Sequence, residues 1–76
     1  MVQILIIDDD KELCALLEDY FQPEGIACRF SHDGRSGLAA MRGDRPDLVI
    51  LDVMLPEKNG FEVLREMRRD AQLVKL

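Results

Sequence analysis

The sequence predicts an α/β protein, an open sheet of three parallel strands in the order 2-1-3, and three observations carry that prediction. Short aliphatic runs alternate with segments whose apolar residues recur at helical spacing, giving βαβαβα. Strands joined through helical crossovers run parallel, and those crossovers are almost always right-handed. The first and third runs end abruptly in carboxylates, Asp8-Asp9-Asp10 and Asp52, and open α/β sheets bind ligands at the carboxyl ends of their strands. The order 2-1-3 sets those two strands side by side, so their acids converge in one crevice.

Gln3-Ile4-Leu5-Ile6-Ile7 is the first strand, apolar enough to be buried on both faces. Asp10 can cap the helix that follows, where Leu13, Leu16, Leu17, Tyr20 and Phe21 mark one face. Pro23 and Gly25 end it. Ile26, Cys28 and Phe30 then alternate with Ala27, Arg29 and Ser31, the pattern of an edge strand. Asp33 can cap a second helix with a thin apolar face of Leu38, Ala39 and Met41, made weak by Gly34, Gly37 and Gly43. Arg45-Pro46 breaks it, and Asp47 to Asp52 forms a third strand, again buried on both faces. A loop over residues 53–60 leads into a third helix, whose apolar face is Phe61, Val63, Leu64 and Met67.

With 76 residues the chain is one small domain, near the size of roughly 70–80 residues at which a single core barely offsets conformational entropy. A composition 47% hydrophobic and 33% charged is too apolar for disorder. No apolar run approaches the ~20 residues of a membrane span, and the start lacks the basic residues of a signal peptide, so the expected location is the cytoplasm, away from membranes. Cys14 and Cys28 lie in periodic apolar segments without CxxC spacing and are expected to be core residues in a reducing compartment. A net charge of −5 argues against nucleic acid as a partner of this segment.

The acids carry the functional information. Asp8, Asp9 and Asp52 on neighbouring strand ends repel one another unless a cation neutralises them. Oxygen-only ligands favour a hard ion, and Mg²⁺ characteristically takes one or two carboxylates, waters and a substrate phosphate. An aspartate is also a competent nucleophile toward phosphorus when a metal offsets the charge of the transferring group. Capping explains one or two acids after the first strand, but not a third on the adjacent strand.

Ile4-Leu5-Ile6-Ile7-Asp8-Asp9-Asp10, then Leu51-Asp52-Val53-Met54-Leu55-Pro56, then Asn59-Gly60-Phe61 resemble the receiver domains of two-component response regulators, in register along the whole chain. The resemblance implies a flavodoxin-like fold in which Asp52 is the phosphorylated aspartate. It also implies Asp9 as a direct Mg²⁺ ligand, Asp8 as a neighbour acting through water, and the Met54 backbone carbonyl as a third protein ligand. Pro56 and Gly60 would shape the loop after the site. The implied partner is a sensor histidine kinase, and the implied role is a signalling module, not an enzyme.

The family has five βα units, and residues 1–76 match three. The expectation is therefore a truncated receiver domain, without the strand bearing a Thr or Ser and the strand bearing a Lys. Val74-Lys75-Leu76 falls where a fourth strand would begin. Alone, such a piece is expected to be incompetent or weakly competent in phosphorylation, or a purely structural fragment. Its exposed third strand invites pairing into a homodimer. A different class, a haloacid-dehalogenase-like phosphotransferase using Asp8, fits Asp8-Asp9-Asp10 only superficially, because Glu12 stands where that family has Thr or Val. His32, alone in a turn, is expected to be a solvated loop residue. Arg65, Arg68 and Arg69 suit the negative end of the last helix.

Overall fold

The computed structural model describes residues 2–71 and 73. At the centre of the sheet lies β1 (Gln3–Ile7), flanked by β2 (Ala27–Ser31) and β3 (Leu48–Leu51), all parallel, so the order is 2-1-3 as expected. Ile4, Leu5, Ile6 and Ile7 are each 5% exposed or less, which requires cover on both faces of the strand. Both ladders continue one residue beyond β1 and β3. Asp8 donates its backbone N–H to the Ser31 carbonyl, and Asp52 donates its own to the Ile7 carbonyl, each at 2.9 Å. The expectation of a fourth strand at Val74-Lys75-Leu76 lies outside the described residues.

The three helices are α1 (Lys11–Phe21), α2 (Gly34–Asp44) and α3 (Gly60–Arg69). A side-chain oxygen starts each one. Asp10 accepts from the Leu13 N–H at 3.0 Å, Asp33 from the Ser36 N–H at 2.8 Å and Asn59 from the Glu62 N–H at 3.0 Å. Each bond satisfies one of the amides that a helix start leaves without a partner. Asn59 is a third cap, beyond the two expected.

Alternation along β1 divides the core. Leu5 and Ile7 join Leu38, Met41, Val63, Met67 and Leu73 on the face covered by α2 and α3. Ile4 and Ile6 meet Cys14 on the other face, where Leu17, Phe21, Ile26, Cys28 and Phe30 pack around them. Both cysteines are free thiols. Gly37 is what lets α2 approach the sheet: a Cβ there would come within 2.5 Å of the Ile7 side chain.

Three expectations need correction. On α1 the residues turned to the sheet are Cys14, Leu17 and Phe21, whereas Leu13, Leu16 and Tyr20 are exposed. The two triplets are offset by about 100° around a helix of 3.6 residues per turn, and one sheet face covers only one of them. β3 is buried on one face only. Leu48 pairs with Ile4 and Ile50 with Ile6, which places both on the α1 side, and α1 sits over β1 and β2. Leu48 and Ile50 therefore stay exposed, while Val49 and Leu51 pack into the other cluster. On the remaining helices Ala39 and Phe61 point outward. Ala40 packs in place of Ala39, and on α3 Val63 and Met67 supply the buried face.

Candidate functional site

The carboxyl edge of the sheet gathers Asp8, Asp9 and Asp52, each offering an oxygen within 4.8 Å of the others. The hydrogen bonds that extend both ladders past β1 and β3 set Asp8 and Asp52 next to each other. The three consecutive acids after β1 then divide their work. Asp8 turns the chain by accepting the Asp10 N–H on Oδ1 at 2.9 Å, Asp9 is exposed at the edge, and Asp10 caps α1.

The loop after β3 is tied down from within. Gly60 donates its N–H to the Val53 carbonyl at 2.9 Å, and Lys58 donates to the Pro56 carbonyl at 2.7 Å across Glu57, whose φ is +66°. A side chain at Gly60 would run into the Asp52 carbonyl and the Val53 Cα, so α3 begins against the backbone of the acidic strand end. Met54 is 79% exposed, but its N–H donates to Asp52 Oδ1 at 3.3 Å, which brings the backbone of residue 54 to the edge of that carboxylate. Lys58 is paired with Glu66, whose carboxyl it holds below the ordinary range.

Among the described residues none of Asp8, Asp9 and Asp52 is in an ion pair; Arg42 and Lys58 engage Asp70 and Glu66 instead. Three unneutralised carboxylates made only of oxygen donors fit a hard divalent cation. With metal–oxygen bonds of about 2.1 Å, two ligand oxygens lie at most about 4.2 Å apart. The three carboxylates, within 4.8 Å of one another, lie close to that span. Beside Asp9 opens a cleft of about 570 Å³ lined by Val53, Met54, Leu55, Pro56, Asn59 and Phe61.

One residue at this edge departs from expectation. His32 is half-buried, and its Nδ1 lies 3.0 Å from the Asp8 carbonyl. A carbonyl only accepts, so Nδ1 is the donor. The Cys14 thiol approaches the same oxygen at 3.7 Å. Burial, and then the charges of Asp8 and Asp10, push that thiol up from its ordinary pKa and keep it protonated. A lone histidine carried no signal in the sequence because its partner is a backbone atom 24 residues away.

The family whose pattern is the response regulator receiver domain matches residues 4–76. The chain belongs to that family. Among its curated relatives, the transcriptional regulatory protein CpxR of Klebsiella pneumoniae subsp. pneumoniae (strain HS11286) is 44% identical over 72 residues, covering 95% of this chain and 31% of that protein. The DNA-binding response regulator MtrA of Mycobacterium leprae (strain TN) is 44% identical over 69 residues, covering 91% and 31%. The chain thus spans about a third of the length of these relatives. Among solved structures, the N-terminal domain of a response regulator receiver protein from Methanoculleus marisnigri JR1 superposes with a TM-score of 0.94 at 25% identity, over 99% of this chain and 61% of that one. The response regulator TrrA from Thermotoga maritima, solved in complex with Mg²⁺-BeF, superposes with a TM-score of 0.86 at 33% identity, over 95% and 63%. The receiver is a two-component signalling module of the flavodoxin-like class, and among its described residues no helix is long and apolar enough to cross a membrane.

Proposed function

We propose that this chain is the phosphoaccepting part of a two-component switch, in which Asp52 takes a phosphoryl group from a sensor histidine kinase at a Mg²⁺ site. Asp9, Asp52 and the Met54 backbone carbonyl would hold the ion directly, and Asp8 through water. The observation that carries this reading is the convergence of three carboxylates from two adjacent strand ends within 4.8 Å. The bound Mg²⁺ seen in the TrrA structure supports it. When bound, the ion offsets the negative charge gathered between the nucleophile and the phosphoryl oxygens.

The residues of the chain do the rest. One Asp52 oxygen forms the new O–P bond while the P–N bond of the phosphohistidine donor breaks, leaving the electron pair on the imidazole, which takes a proton from solvent. The Met54 N–H, on Asp52 Oδ1, orients the carboxylate for that attack. The cleft beside Asp9, with Met54 and Phe61 exposed at its rim, gives the donor an apolar approach. The product is a signalling state, so the module transfers nothing onward and works as no enzyme, in the cytoplasm and without contacting nucleic acid itself.

In the family the site is completed by a Thr or Ser and a Lys from two further strands. We take residues 1–76 as the part of the receiver that carries the acids, and expect little phosphorylation of this stretch by itself. Its β3 edge, with Leu48 and Ile50 exposed, would pair with a second copy as a homodimer. Light scattering on the purified chain tests this, and a folded monomer at high concentration refutes it.

Phosphorylation of the full-length parent by its kinase tests the main reading. Asp52→Asn is expected to abolish the acyl phosphate, while Asp8→Asn or Asp9→Asn weakens labelling. Full labelling of the Asp52→Asn protein would overturn the assignment, and label mapped to Asp8 would favour the dehalogenase-like alternative.

A further inference from the structure

The backbone of the β1–α1 turn is held at three successive peptide planes. The plane joining residues 7 and 8 is fixed by the Asp8 N–H on the Ser31 carbonyl at 2.9 Å. The plane joining residues 9 and 10 is fixed by the Asp10 N–H on Asp8 Oδ1, also at 2.9 Å. Between them, the plane joining residues 8 and 9 carries the Asp8 carbonyl, and its close partner is His32 Nδ1 at 3.0 Å. The thiol of Cys14, at 3.7 Å from that oxygen, is the weaker donor. A peptide unit is rigid, so pinning the plane between residues 8 and 9 sets ψ of Asp8 and φ of Asp9 together. Those two angles set how the Cα–Cβ bonds of both aspartates leave the turn, and so the range their carboxylates can reach.

The contact is also reciprocal between two loops. The end of β2 accepts the N–H of Asp8 through Ser31, and the next residue, His32, donates to the carbonyl of Asp8. The ring lines a small cleft with Cys14 and Phe30, packed against the α1 side of the sheet. Removing the ring donor leaves the middle plane to the thiol alone, while the ladder bond and the Asp10 bond remain.

We propose that His32 is a positioning residue for the cation site: its Nδ1–H clamps the Asp8 carbonyl and so aims the Asp8 and Asp9 carboxylates at the ion. This rests on the reading of Asp8, Asp9 and Asp52 as a Mg²⁺ site. Groups that orient metal ligands are worth roughly 10–100-fold in affinity when lost. One backbone plane still partly held by Cys14 falls at the low end of that range.

Two variants of the 76-residue chain separate the donor from the ring. His32→Phe keeps a ring and loses the donor, whereas His32→Asn loses the ring and keeps an N–H near the position of Nδ1. Mg²⁺ is titrated while backbone amide signals are followed, and thermal unfolding of the metal-free chain is measured in parallel. His32→Phe is expected to weaken Mg²⁺ binding by about tenfold, and His32→Asn to stay within about twofold of wild type, whatever their melting temperatures. Equal affinity in His32→Phe and wild type, or equal loss in both variants, overturns the proposal. Long-range ¹H–¹⁵N spectra of the wild-type ring give a readout that needs no variant. A proton on Nδ1 is required, and a bare Nδ1 refutes the clamp even where His32→Phe fails to fold. A folded wild-type chain that ignores Mg²⁺ overturns the site reading itself, an outcome distinct from a wild type that binds while the variants bind equally well.

Discussion

On the α2–α3 face of the sheet, Met41 and Val63 are fully buried and Leu38, Met67 and Leu73 nearly so, closing over Leu5 and Ile7. On the α1 face, Cys14 is the one residue of the helix that is buried, and it too is only nearly enclosed. Leu13, Leu16 and Tyr20 stand exposed on the helix, and Leu48 and Ile50 on the neighbouring strand. The residue types on the two faces are alike, so the difference lies in what covers them. Two helices share the first face, whereas one helix, set toward β2, serves the second. Apolar periodicity therefore says which residues can be buried, and the number of elements laid over the sheet says which of them are.

Substitutions at matched positions sharpen the contrast, and the largest effect belongs to the closed face. Met41→Ala is expected to cost about 3 kcal/mol, because a fully enclosed side chain leaves a cavity that rigid neighbours do not fill. Urea unfolding followed by circular dichroism measures it. A loss under about 1 kcal/mol would show that this face is as loosely covered as the other.

Next comes Gly37→Ala. A helix gains about 1 kcal/mol on replacing Gly by Ala. Here the new methyl meets Ile7, itself wholly buried, and overpacking costs about 1–3 kcal/mol. A net loss of about 1 kcal/mol is expected, whereas Gly43→Ala, with open space around its Cβ, is expected to stabilise. The same unfolding curves decide both, and stabilisation by both would mean that α2 lies less tightly on β1.

A smaller, pH-dependent effect is expected at the start of α2. The Ser36 backbone N–H, and then its hydroxyl at 2.8 Å, hold the Asp33 carboxyl below its ordinary value. The unfolded chain therefore takes up this proton at higher pH than the folded one. The stabilisation is complete above about pH 4, the ordinary carboxylate value, and fades as pH falls through the folded value. Asp33→Ala is expected to lower the melting temperature at pH 7 and to make its further fall below pH 4 shallower. Parallel slopes for wild type and variant would remove Asp33 from the account. Smallest of all, Leu16→Ala on the open face is expected to stay within about 0.5 kcal/mol, because a side chain 66% exposed has little burial to lose. A loss above about 1 kcal/mol would mean that a partner, such as a second copy, covers it in solution.

Much of this was legible before any coordinates. The parallel direction of the strands followed from crossover geometry, and the three acids from their places at the ends of runs. The caps Asp10 and Asp33 followed from residue type at a loop-to-helix junction. What stayed hidden was set across the chain rather than along it. Whether Leu16 or Cys14 points inward depends on where α1 lies over the sheet. Leu48 and Ile50 look like core residues by composition, and their exposure depends on α1 stopping short of β3. His32 reads as a loop residue because its partner is a main-chain oxygen that no side-chain pattern reveals.

The central place of β1 also bears on how the molecule assembles in time. Gln3 pairs with Ala27 and Ile4 with Leu48. Reaching β1 thus closes a loop of about 24 residues for β2 and about 44 for β3, a difference of about 0.5 kcal/mol in closure entropy. β2 is then expected to dock first and β3 last, so β3 substitutions should act mainly on the unfolding rate, with low φ-values, and high ones would reverse the order. A chain paused between those two events already holds Asp8 and Asp9 in their turn, but lacks Asp52 beside them. The acidic edge is thus completed only by the longer of the two strand closures, and a cation bound there would act as a brake on the reverse of that step.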